Sequence, residues 1–334
     1  MIPSAFANMP ADPRPFRLEQ PNGEWVRVRA HGDAEFHYLT DENGYTVTKE
    51  KGYIVYAKKN EETGKLESTG KRVGKVHPSK LGIQKKLLPS RKMIEESCGE
   101  FCQEPLEDHQ EQRRNLMEST KNGVLNNLVI LICFDDHDIS SQPSQKDFDI
   151  LFNSEGVDDL RNANNVQIAR TGSIKDVMLT SSYGKLKIES HVHPWIKVSK
   201  PESYYTNGNS GLSTRLHEAM EEALDMMDKN GFDFSEFDQN RDGNIDSITF
   251  LHSGFGAEFG GVDCHGKTET GRVWSHKWSM TRWNSQLKRN NSQVSVTRYH
   301  ISPAKWGTCG NKITRIGVIA HEIGHFLGLE DHCK

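Results

Sequence analysis

The stretch VLNNLVILICF, positions 124–134, constrains this chain's fold more than any other. Extended, it sends side chains alternately to two faces, and apart from Asn126 and Asn127 both sets are apolar. Such a strand has no face for water and belongs inside a sheet covered on both sides. Helical and extended patterns follow in turn. KLKIESHVHPWIKV alternates polar and apolar and reads as an outer strand. STRLHEAMEEALDMMDKNG places Leu216, Met220, Ala223, Leu224 and Met227 on one helical face, with Ser213 as its cap and Gly231 just past its end. DSITFLHSG is a second buried strand, and ITRIGVIAHEIGHFLG is a final helix stopped by Gly328. The interleaving predicts an α/β (α+β) body over 124–334.

Upstream the period changes. Val26, Val28, Phe36, Tyr38, Tyr45, Val47, Tyr53 and Val55 fall at strand spacing, punctuated by PNG, HGD and DENG. This predicts antiparallel hairpins in a small β-rich N-terminal domain over 1–88. Residues 89–123 are expected to form a charged linker carrying a polar helix from about Ser90 to Thr120. With 34% hydrophobic and 26% charged residues, a net charge of -4 and no long basic block, nothing points to nucleic acid. No run of about 18 apolar residues is present, so no membrane span is expected. The start, MIPSAFANMPADPRPF, lacks the charged and apolar regions of a secretory signal. Of the six Cys, Cys133 is expected to be a buried thiol, and Cys264 and Cys309 are the best disulfide candidates.

The final segment, AHEIGHFLGLEDHCK, carries the chemistry. His321 and His325 lie one helical turn apart and can reach a single ion. Zinc (Zn2+) suits them, being borderline-soft and four-coordinate. Glu322 is rotated off the ligand direction and can reach a water on the metal as general base. Gly328 can take the left-handed conformation that lets the chain double back and return Asp331 to the metal. Two His and one Asp leave a position open, as in catalytic zinc sites. The combined pattern arises by chance on the order of once in 10⁴ chains of this length. Two core-facing His without a partner would also be costly to bury.

HEIGHFLGLEDH resembles the active-site segment of the immune inhibitor A family of secreted zinc metalloproteases, with Glu330 where that family usually has Pro. LVILICFDD, TGSIKDVMLTSSYGKLKIESHVHPWIKV, GFDFSEFDQNRDGNIDSITFLHSGFGAEFGG and VWSHKW resemble its successive landmarks, and QPNGEWVRVRAHGDAEFHYLTDENGYTV resembles its propeptide. The resemblance implies a zincin/metzincin-like catalytic domain, a secreted precursor, and an endopeptidase binding extended polypeptide along a sheet edge. It favours Asp331 as third ligand, with His332 as the rival. It also implies a Met-bearing turn beyond the motif. The chain ends at Lys334 without one, so it is expected to be a fragment or a degenerate relative with weak activity.

DQNRDGNID places Asp238, Asn240, Asp242 and Asp246 at positions 1, 3, 5 and 9 of a calcium loop, with Gly243 at 6 and the Asn244 carbonyl at 7. Thr249 stands at the twelfth position, so a structural calcium (Ca2+) site is expected rather than an EF-hand sensor. Cys98 or Cys102 could reach the zinc as a thiolate, and Asn290 opens a glycosylation sequon. His252 and His276 either line the cleft or are hydrogen-bonded structural residues. Two other functions fit the same residues: a calcium-stabilised pseudo-peptidase that grips polypeptide without cutting it, and a zinc hydrolase of small amides.

Overall fold

The computed structural model describes residues 10–34, 36–98, 120, 123–286 and 293–329 of the 334. Six strands, β1 (Phe16–Glu19), β2 (Trp25–Gly32), β3 (His37–Asp41), β4 (Thr46–Glu50), β5 (Tyr53–Lys59) and β6 (Leu66–Arg72), form one antiparallel sheet in chain order. Along β2, Val26, Val28 and Ala30 are buried while Trp25, Arg27 and Arg29 are not. The inward face of β5 is Ile54 and Tyr56, which join Leu18, Val26, Val28 and Val47 in a core. Tyr53 points the other way, under the Arg72 guanidinium at 3.4 Å. Asp41 pins the β3–β4 turn by accepting the N–H groups of Asn43 and Tyr45, each at 2.9 Å.

The polar helix expected from Ser90 appears as α1 (Arg91–Cys98), and 99–119 lie outside the described residues. Next comes β7 (Val124–Cys133), then α2 (Gln145–Asn153), the short pair β8 (Leu160–Arg161) and β9 (Gln167–Ala169), α3 (Ile174–Ser181) and β10 (Lys187–Lys197). Both α2 and α3 open on capping boxes, Ser144 with Asp147 and Ser173 with Asp176, which satisfy N–H groups the helices cannot. After α4 (Glu202–Thr206) and α5 (Arg215–Lys229) come β11 (Ile248–Phe255), β12 (His276–Asn284), β13 (Ser295–Lys305) and α6 (Ile316–Phe326).

The second large sheet runs β10-β7-β11-β13-β12, parallel throughout except for β12, the antiparallel edge strand. β7 lies inside it and β10 outside, as the patterns predict. Leu125, Val129 and Leu131 face α2, α3 and α6, in one core with Ile188, Leu251, Ile319 and Ile323. Leu128, Ile130, Ile132 and Phe134 face α5, in the other with Met220, Leu224, Phe250 and Ile301. Burial on both sides is the physical reason for the unbroken apolar run.

Ser213 does not cap α5. The cap position is Thr214, which bonds through no side chain, and the Ser213 hydroxyl is buried without a hydrogen bond. The Ser213 and Thr214 carbonyls instead accept the N–H groups of Leu216 and His217, a tight 3₁₀-type turn that leaves the hydroxyl no donor. The N-terminal sheet touches the larger body directly: the Asp12 N–H donates to the Glu258 carbonyl at 2.8 Å, and His37 stacks on Trp274 at 4.6 Å.

Candidate metal centre

α6 is held by its apolar face, where Ile319, Ile323 and Leu327 are buried against Leu251 and Ala304. Its end is a Schellman turn: the Leu329 N–H donates to Gly324 O and the Gly328 N–H to His325 O, both at 2.9 Å. Gly328 takes φ 81°, the left-handed conformation its position predicts.

The turn has a direct effect on the site. It brings the Leu329 carbonyl to 2.8 Å from His325 Nδ1. A carbonyl only accepts, so Nδ1 carries the proton and Nε2 presents its lone pair. That lone pair faces His321 Nε2 at 2.8 Å, with the rings perpendicular and their centroids 4.3 Å apart. Two imidazole nitrogens converge on one point, one with its far nitrogen fixed by a carbonyl, as in metal-binding histidines. The donor chemistry fits a zinc ion. Glu322, one residue along, is fully buried. Asp331, Glu330, His332 and the sequon lie outside the described residues, as do Cys102 and the Cys98 side chain. Among the described residues no group of three His, Cys, Asp or Glu could hold a metal.

Beneath the helix runs a polar ladder that the sequence patterns do not single out. His300 Nε2 meets Thr249 Oγ1 at 2.7 Å, and Asn127 Oδ1 accepts from Thr249 at 3.1 Å and Ser247 at 2.9 Å. Burial, aided by nearby His325, pushes the His300 pKa down to about 3, so it is neutral. The visible signal was Asn127 inside the apolar run, a polar group that needs partners in its sheet.

His252 and His276 are fully buried. His276 is a hydrogen-bonded structural residue, through Trp274 O at 2.7 Å and the Tyr299 hydroxyl at 2.9 Å. At the carboxyl ends of the parallel strands lies a second polar cluster. Lys267 Nζ donates to Glu202 Oε2 at 2.7 Å and Asp136 Oδ2 at 2.9 Å, and His137 Nδ1 meets Ser253 Oγ at 2.8 Å.

The acidic loop precedes β11. Asp238 accepts the N–H groups of Asp242 at 3.0 Å and Gly243 at 3.1 Å, while Asn240 and Asp242 accept the next alternate N–H groups. Burial and the Asp242 charge push the Asp238 pKa up against the pull of the Gly243 N–H. The Asn244 side-chain oxygen is buried without a hydrogen-bond partner, and Asp246 accepts from the Gln239 N–H.

The larger body is thus a mixed α/β fold with paired imidazoles on its last helix. The family model for the immune inhibitor A peptidase M6 catalytic domain matches residues 118–334, and the chain belongs to this family. Immune inhibitor A of Bacillus thuringiensis subsp. alesti is 28% identical over 168 residues, which cover 45% of this chain and 24% of that protein. Pre-pro-metalloprotease PrtV of Vibrio cholerae serotype O1 (strain M66-2) is 26% identical over 206 residues, covering 55% of this chain and 20% of that protein. The chain thus spans a quarter or less of the length of these relatives. Among the described residues no helix is long and apolar enough to cross a membrane.

Proposed function

We propose that the chain is a precursor form of a secreted zinc endopeptidase. Its zincin-type catalytic domain would occupy 124–334, behind a propeptide-like domain over 1–88 and a linker over 89–123. The name of the Vibrio relative, a pre-pro-metalloprotease, supports the precursor reading. The sheet supports the fold reading: α6 packs against β13 and against β12, the antiparallel edge. An extended substrate would add to the free side of β12 by main-chain hydrogen bonds.

His321, His325 and Asp331 would hold the zinc. Bound there, zinc supplies a Lewis acid for the scissile carbonyl and for water. Glu322 takes a proton from the attacking water and returns it to the departing amine nitrogen. The Leu329 carbonyl orients His325, and the apolar face of α6 holds both imidazoles in register. Asp238, Asn240, Asp242, Asn244 and Asp246 would hold a structural calcium.

The observation that carries the reading is the convergence of the two Nε2 atoms at 2.8 Å, with His325 fixed from behind. The test measures zinc content and casein cleavage by the full chain, before and after limited proteolysis. Glu322→Gln should keep the zinc and lose about 10²–10⁴-fold in cleavage rate. Zinc-loaded protein that leaves casein intact in both states would favour a binding module. Cleavage confined to small acyl amides would favour the other hydrolase.

A further inference from the structure

Two loops of the larger body meet where the N-terminal segment docks. The first runs from Gly256 to Arg272, the second from Trp306 to Lys312. The Cys264 N–H donates to the Thr308 carbonyl at 3.0 Å, which joins them. Cys264 and Cys309 are both exposed and unbridged. Their thiols lie in contact, and that contact pushes the Cys309 pKa up. Cys133, by contrast, is fully buried, with its sulfur against the carbonyls of Phe134 and His137 at 3.7 and 3.6 Å.

Each loop also holds one wall of the dock. From the first, the Glu258 carbonyl accepts the Asp12 N–H at 2.8 Å, and Gly260 and Gly261 lie under the Phe16 ring. A Cβ on Gly260 would stand 2.6 Å from Phe16 Cε1, so the ring rests on bare backbone. From the second, Trp306 packs edge-on against Phe259 at 4.7 Å. The Arg14 guanidinium lies over its ring at 5.9 Å and that of Arg315 at 4.3 Å. The first loop is anchored on its far side by Lys267 and under Gly260 and Gly261 by the Arg272 guanidinium, and it meets the second loop at the Phe259–Trp306 contact and at the two cysteines.

We propose that Cys264 and Cys309 are a disulfide-forming pair that ties these loops together and thereby fixes the dock of the segment from Pro10 to Phe16. The co-reactant is a small-molecule disulfide such as oxidised glutathione. One cysteine thiolate attacks it, releasing one glutathione thiol and leaving a mixed disulfide. The second cysteine attacks the protein-side sulfur and releases the other. The protein dithiol loses two electrons, the glutathione S–S bond gains them, and the two cysteine protons end on the two glutathione thiols. The bond spans positions 264 to 309, a loop long enough for the crosslink to restrict the unfolded chain substantially.

The test uses the full chain, incubated with oxidised glutathione and then mapped by non-reducing proteolysis and mass spectrometry. A peptide pair joined through Cys264 and Cys309 is expected, two hydrogens lighter than the sum of its parts. Hydrogen exchange of the amides from Ala11 to Phe16 should then be about tenfold slower in the oxidised protein than after reduction. Cys264→Ser and Cys309→Ser, each at an exposed site, should fold normally and abolish the redox dependence. Free alkylation of both thiols after oxidation would overturn the proposal, as would pairing of either with Cys98, Cys102 or Cys333. Identical exchange in the oxidised and reduced protein would overturn the docking role.

Discussion

Lys267→Met is the substitution whose cost is most directly set by the structure. Glu202 opens α4 with its side chain 1% exposed. One carboxylate oxygen receives Lys267 Nζ at 2.7 Å and the other has no hydrogen-bond partner. Removing the ammonium leaves a charge out of water, at a cost of about 3–5 kcal/mol for a buried pair losing one partner. Two features of the site soften this. Lys267 is itself 21% exposed, and the His137 ring lies beside the same carboxylate, with Nε2 at 3.5 Å. We therefore place the loss near the lower end, about 3 kcal/mol, or about 6–12 °C in Tm for a body of this size. Five of the six Trp lie in that body, so fluorescence-monitored melting and urea unfolding report it. The double variant Lys267→Met/Glu202→Gln removes both charges and should recover at least half of the loss. A single-variant cost under about 1 kcal/mol, or a double variant as unstable as the sum of its parts, would show that the Glu202 carboxylate is not held by this ammonium.

Burial holds His276 and His217 neutral, with pKa values pushed down to about 3 and about 4 from 6.5. The unfolded chain therefore binds more protons below pH 6.5, and stability should fall steadily from there towards pH 4, with His217→Gln flattening the slope in urea titrations. Calcium at about a hundred times its dissociation constant should stabilise the protein by about 2.7 kcal/mol, seen as a rise in Tm that Asp238→Asn removes; an unchanged wild-type Tm would eliminate the calcium site. Gly260→Ala should loosen the N-terminal segment and speed its limited proteolysis. Gly266→Ala carries a similar positive φ but meets nothing within 4 Å, so it should leave that rate unchanged.

What the sequence made legible followed from period and motif. The run at 124–134 specified a strand covered on both sides, and the apolar stripe of α5 specified one of its covers. His321 and His325 were placed by helical spacing alone, and Gly328 by the turn it permits. Ser213 failed as a cap because a backbone turn had already taken the N–H groups it would have served. The facing side of β5 was also not readable, since Ile54, Val55 and Tyr56 are all apolar enough for either phase. The ladder of His300, Thr249 and Asn127, and the cluster of Glu202, Lys267 and His137, bring together residues from distant strands and loops. Each is unremarkable in its own segment, and only the strand order makes them neighbours.

The five-stranded sheet also acts as a partition. Ala11, Ala30 and Ala34 belong to the core on the α5 side, while the helix carrying the two imidazoles draws its support from the opposite side. Detaching the N-terminal region would strip cover from Trp274 and from the bare glycine shelf beneath Phe16, yet leave Ile319 and Ile323 packed behind His321 and His325. Loss of that region would therefore uncover apolar surface on one flank while the helix of the paired imidazoles stays packed on the other.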